Sequence, residues 1–98
     1  KEKTKGFKYK RIMTRNLKNF PVDIVMLELK PGAKRSNMVR TEAYEYKYIV
    51  TGTVEYLINN EKHTLYAGDS IFFDGRQGHR PANIGEDTAL ILVAYFFI

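Results

Sequence analysis

The sequence predicts an all-β protein, an antiparallel sandwich or barrel of the jelly-roll type. Three observations carry this expectation: short runs in which apolar and polar residues alternate, Pro and Gly falling between those runs, and no apolar stripe of helical period of convincing length. The long connections between several runs favour a jelly roll over a simple meander.

The first run, FKYKRIMT from Phe7 to Thr14, alternates apolar with basic residues, as a strand with one wetted face does. VDIVMLEL, Val22 to Leu29, is β-branched and apolar, a composition that fits a buried pleated surface. EYKYIVT, Glu45 to Thr51, alternates aromatic with charged positions. TVEYLI and KHTLY stand on either side of Asn59-Asn60-Glu61, a hairpin turn in which asparagine tolerates positive φ. SIFFD and TALILVAYFFI supply the remaining strands, and turns at Pro31-Gly32, Gly52, Gly68, Gly75, Gly78 and Gly85 separate the runs.

Size and composition bound the function. A chain of 98 residues suits one domain, and 44% hydrophobic with 13% aromatic residues supplies a core, so disorder is not expected. Residues 1–6 read as a basic linker and 7–98 as a single domain. The absence of cysteine excludes a disulfide framework, a thiolate zinc site and a cysteine nucleophile, so any metal would need His and carboxylate ligands. No run approaches the roughly 18 apolar residues of a membrane span and no signal peptide is apparent, so a soluble, cytoplasmic protein without a membrane partner is expected. The net charge of +5 is uneven: Lys1 to Lys18 hold eight basic residues and one acidic (+7), whereas the remaining eighty residues hold eight basic and ten acidic (−2). Such a leading segment reads as a solvated linker and first strand, and a chain that opens at Lys1 within it is expected to be a domain cut from a longer protein.

Spacing then groups side chains by face. Met38 and Arg40 lie two apart on one strand and share a face; Glu45, Lys47 and Ile49 share a face of the next. Tyr44, Tyr46 and Tyr48 fall on the opposite face, where they are expected to pack between sheets or subunits, and with the apolar end Val93 to Ile98 they imply a homodimer. His63 shares a face with Leu65 and reads as a strand-end or surface histidine. No phosphate loop and no serine–histidine–carboxylate series is present.

Two motifs give these residues a resemblance. Gly32, five residues, Met38-Val39-Arg40, four residues, Glu45, six residues and Gly52 reproduce the spacing of the first motif of the cupin superfamily, with both histidines of its His-x-His pair replaced. Gly68, His79 and Asn83 stand at the distances of the second motif, with Asp74 and Arg76 in place of its proline and glycine. The chain thus resembles the cupins, RmlC-like jelly-roll β-barrels, over Gly32 to Asn83. In that arrangement the two inward faces bring Arg40, Lys47, Glu45 and His79 together, with Met38 beside them. Carried over residue by residue, the family's metal positions fall on Met38, Arg40, Glu45 and His79, of which only Glu45 and His79 bear ligands for a hard metal; a permanent cation at Arg40 would repel a divalent ion. The expectation is no metal cofactor, with two readings of the cluster: Arg40 replaces the metal by pairing with Glu45 beside a structural His79, or the surplus cation binds a small anionic metabolite with Arg40 as its anchor.

The stretch GDSIFFDGRQGHRPAN, together with EAYEYKYIVTGTVEYLINNEKHTLYAGD and the closing run, is similar to the C-terminal cupin of regulators that begin with an Xre-type helix-turn-helix. The resemblance implies a small-metabolite-sensing and dimerising module, not an enzyme, with DNA contacted only through a helix-turn-helix absent from this chain. Two other readings stay open: a stand-alone cupin enzyme of the metal-dependent dioxygenase, isomerase or epoxidase type, and a purely structural dimerisation barrel.

Overall fold

The computed structural model describes residues 5–98; four of the six residues of the expected linker, 1–4, lie outside the described residues. Eight strands follow one another: β1 (Phe7–Asn16), β2 (Pro21–Leu29), β3 (Ala43–Thr51), β4 (Thr53–Ile58), β5 (Glu61–Tyr66), β6 (Ser70–Asp74), β7 (His79–Asn83) and β8 (Ala89–Phe97). They form a five-stranded sheet in the order β1-β2-β8-β3-β6 and a three-stranded sheet in the order β5-β4-β7, and every strand pairing is antiparallel. This is the jelly roll that the alternating runs predict. No helix occurs among the described residues, and so none is long and apolar enough to cross a membrane.

Local chemistry explains the turns. Asn59 and Asn60 take φ values of 48° and 70°, the doubly left-handed pair that a two-residue hairpin needs, so Ile58 pairs directly with Glu61 and the expected turn is one residue shorter than Asn59-Asn60-Glu61. Lys18 and Asn19, at 50° and 67°, turn β1 into β2 in the same way. At Gly52 φ is +94°, and a side chain there would begin 2.8 Å from Ala89, so only glycine lets β3 pass into β4 beside β8.

Strand β7 is absent from the sequence-based expectation because Pro81 interrupts it. β7 is the edge of its sheet, where a missing amide hydrogen costs no ladder bond. The interior between the sheets is apolar, built around Phe7, Leu27, Leu29, Ile49, Val54, Tyr56, Ile91 and Val93. Four polar residues are buried with them: Glu45, Lys47, His79 and Asn83. Asn83 is structural, its amide nitrogen donating to the carbonyls of Leu29 and Asp87 and its oxygen accepting from the Gly85 amide. The other three form one cluster.

Candidate functional site

The register of β3 delivers the cluster. Glu45 lies between Tyr95 of β8 and Phe73 of β6, and Lys47 between Val93 and Ile71. By the two-residue period both point inward with Ile49, while Tyr44, Tyr46 and Tyr48 face outward, as the alternation predicts. His79 comes from the opposite sheet, its ring edge-on to Phe73 at 4.8 Å.

The three groups are in direct contact. Lys47 Nζ is 2.8 Å from Glu45 Oε1, and His79 Nε2 is 3.2 Å from Glu45 Oε2. Thr41 donates its hydroxyl to the same Oε2 at 2.5 Å. Burial pushes the Glu45 carboxyl up, but the hydrogen bond from His79, the charge and hydrogen bond of Lys47 and the Thr41 hydroxyl together outweigh it and hold the group at about 2. Burial likewise disfavours the Lys47 ammonium, while Tyr56, the Glu45 carboxylate and Tyr95 act against it and hold the ammonium above the usual lysine range. The ammonium sits 5.1 Å from the ring centre of Tyr56 and 5.9 Å from those of Phe73 and Tyr95, an aromatic cage that keeps it charged inside the barrel. Burial, only partly offset by Lys47, pushes the Tyr95 phenol up to about 12.

His79 Nδ1 lies 2.8 Å from the Gln77 carbonyl oxygen. Both ring nitrogens therefore face oxygen atoms of the protein.

The cluster forms the floor of a cavity of about 430 Å³. Leu27, Val39, Pro81 and Tyr95 contribute to its walls, and Tyr9 and Arg35 also line it. Arg35 donates to the Tyr9 hydroxyl at 2.9 Å and stacks its guanidinium 4.9 Å from the Phe7 ring centre.

The structure brings together three of the five residues that the sequence nominates: Glu45, Lys47 and His79. Met38 and Arg40 do not join them, which corrects the expected inward face. Val39 and His79 form an antiparallel bridge with both backbone bonds made, Val39 N to His79 O at 2.8 Å and His79 N to Val39 O at 3.0 Å. Residues directly opposite in such a pair share a face, so Val39 points inward with His79, and Met38 and Arg40 turn away by the period of two. Arg40 is exposed, and its guanidinium lies over Gly78, outside the cavity. Val39 and Thr41 take the two places, equivalent to three residues before Glu45 in the motif instead of four.

Sequence reasoning missed Tyr9, Thr41, Tyr95 and above all Arg35. Tyr9 was within reach, because it shares the inward face of β1 with Phe7; Arg35 lies outside regular structure, where no period applies.

Two antiparallel sheets packed around a buried charged cluster define the class as a jelly roll. Residues 25–95 match the cupin domain Cupin_2, and the chain belongs to that family. No curated protein matches it. Among solved structures, the Cupin_2 domain of an XRE family transcriptional regulator from Enterobacter cloacae has a TM-score of 0.84 at 22% identity, covering 96% of this chain and 99% of that one. An HTH_3 family transcriptional regulator from Vibrio cholerae gives 0.80 at 17% identity over 95% of this chain and 52% of that one, so the chain spans about half of that regulator. KdgF from Halomonas sp. gives 0.79 at 17% identity over 100% and 86%. These likenesses establish the fold.

Cupins commonly hold a metal at this place, and the donor set here does not fit one. Of the side chains on the floor only Glu45 and His79 are ligands for a divalent ion, Val39 replaces a donor with an isopropyl group, and the Lys47 ammonium already occupies one oxygen of the carboxylate.

Proposed function

We propose that this chain is the small-molecule-sensing and dimerisation domain of a helix-turn-helix transcriptional regulator, and that its cavity takes a small anionic metabolite without a metal. The observation that carries the reading is the charge around the cavity. Two fixed cations, Lys47 and Arg35, line it together with Glu45 and His79, a set of groups that suits an anionic ligand. Leu27, Val39, Pro81 and the tyrosine rings give it apolar surface beside these convergent polar groups, the composition of a small-ligand site. Arg35, not Arg40, is the anchor: its planar fork suits a carboxylate or phosphate, and a bound anion competes with the Tyr9 hydroxyl for it. The fold likeness to the cupin domain of the Enterobacter cloacae regulator supports the regulatory setting.

A thermal-shift screen with carboxylic acids, amino acids and phosphate esters tests the reading, because a ligand of the native state alone raises the melting temperature. At 100-fold excess over Kd the expected stabilisation is about 2.7 kcal/mol. Elemental analysis of the purified protein is expected to find no stoichiometric iron, zinc, manganese or nickel. About one metal per chain, lost in Glu45→Gln, would contradict the metal-free site.

A further inference from the structure

Away from the barrel floor, the fold gathers four lysines that the sequence keeps apart. Lys5 and Lys8, at the start of the chain, meet Lys30 and Lys34, which follow β2, around one open groove of about 1070 Å³. All four are exposed, and none forms an ion pair among the described residues. Glu28, paired across the strands with Lys8, is the one acidic residue among the described residues that line the groove. The basicity of the leading segment is thus reinforced by residues of the remaining chain, whose balance is otherwise acidic.

We propose that this groove binds the phosphate backbone of a nucleic-acid duplex. The chemistry selects that occupant. Ammonium groups on flexible stems are point charges without a fork, and here they stand in solvent, so they do not orient a small metabolite as a buried donor does. They suit a repeating anion that several of them meet at once, where affinity comes from counterions released and carries no sequence information. A membrane surface would also need several apolar residues to insert; of the large exposed ones Tyr9 alone lines the groove, its hydroxyl accepting from Arg35, while Leu17 and Phe20 lie at the β1–β2 turn, the opposite end of β1. The inference stands apart from the barrel cavity, so an empty cavity would leave it intact.

Fluorescence anisotropy of a labelled 20-base-pair duplex, titrated with the whole chain at several salt concentrations, tests it. Four phosphate contacts predict that log K falls against log[salt] with a slope of about −3.6. Lys30→Glu and Lys34→Glu are each expected to weaken binding by about fivefold or more and to make the slope shallower, whereas Lys62→Glu, the same charge change on exposed β5, stays within about twofold. Equal losses in all three variants would show general charge attraction and overturn the site. No binding at about 20 mM salt, or binding to anionic phosphatidylserine vesicles but not to the duplex, would overturn it as well.

Discussion

Glu45 is the residue on which the barrel floor depends, since it accepts from Thr41 and is in direct contact with Lys47 and His79, the two buried basic side chains among the described residues. Its carboxyl, with an ordinary value of 4.5, is held at about 2 in the folded protein. A depressed folded value means that this contribution to stability is fully present above about pH 4.5 and is lost as the pH falls towards 2. Glu45→Gln is therefore expected to flatten the acid limb of the stability curve by up to about 1.4 kcal/mol per pH unit, the effect of one proton. Denaturant titrations of both proteins at pH 6, 4 and 3 read the difference, and parallel curves would deny Glu45 this role. At neutral pH the same variant strands the buried Lys47 ammonium, which costs about 3–5 kcal/mol in comparable pairs. Lys47→Met in the Glu45→Gln background is expected to recover most of that loss.

At the scale of elements, close approach at Gly75 fixes the floor. This glycine follows β6 and pairs with the 41–43 segment, its amide donating to the Ala43 carbonyl and its carbonyl accepting from the Thr41 amide, both at 2.8 Å. A methyl group there would overlap the Thr41 hydroxyl and stand 2.7 Å from the Ala43 carbonyl oxygen and 2.9 Å from Glu45 Oε2. Gly75→Ala is expected to cost about 1–3 kcal/mol, read as a lowered urea midpoint; an unchanged midpoint would show that the segment shifts freely. The same segment explains what the sequence could show. Glu45, Lys47 and Ile49 inward with Tyr44, Tyr46 and Tyr48 outward is legible because the period of two is local to β3. The phase of Met38–Thr41 is not local. It is set by the Val39–His79 bridge between residues forty apart, and a motif that permits three or four residues before its glutamate admits both phases. Arg35 was invisible for a similar reason: tertiary packing against Phe7 and Tyr9 places it at the cavity.

The whole molecule leaves an aromatic cluster on the outer face of its larger sheet. Tyr44 and Phe72 stack with ring centres 5.8 Å apart, Phe72 meets Phe96 edge-on at 6.5 Å, and Phe72 is 61% exposed. Such a face suits a two-fold partner presenting the same surface. Sedimentation velocity at micromolar concentration is expected to show a dimer, and Phe72→Lys a folded monomer; a wild-type monomer would remove the interface. The central claim, an anion in the cavity held by Arg35, is tested most directly by calorimetric titration of the strongest stabilising anion from the screen into the native protein, Arg35→Met and Arg40→Met. The account predicts that Arg35→Met loses tenfold or more in affinity, the weight of one charge-assisted fork of about 1.5–3 kcal/mol, while Arg40→Met binds as the native protein does. Unchanged affinity in Arg35→Met, or a loss confined to Arg40→Met, would contradict it.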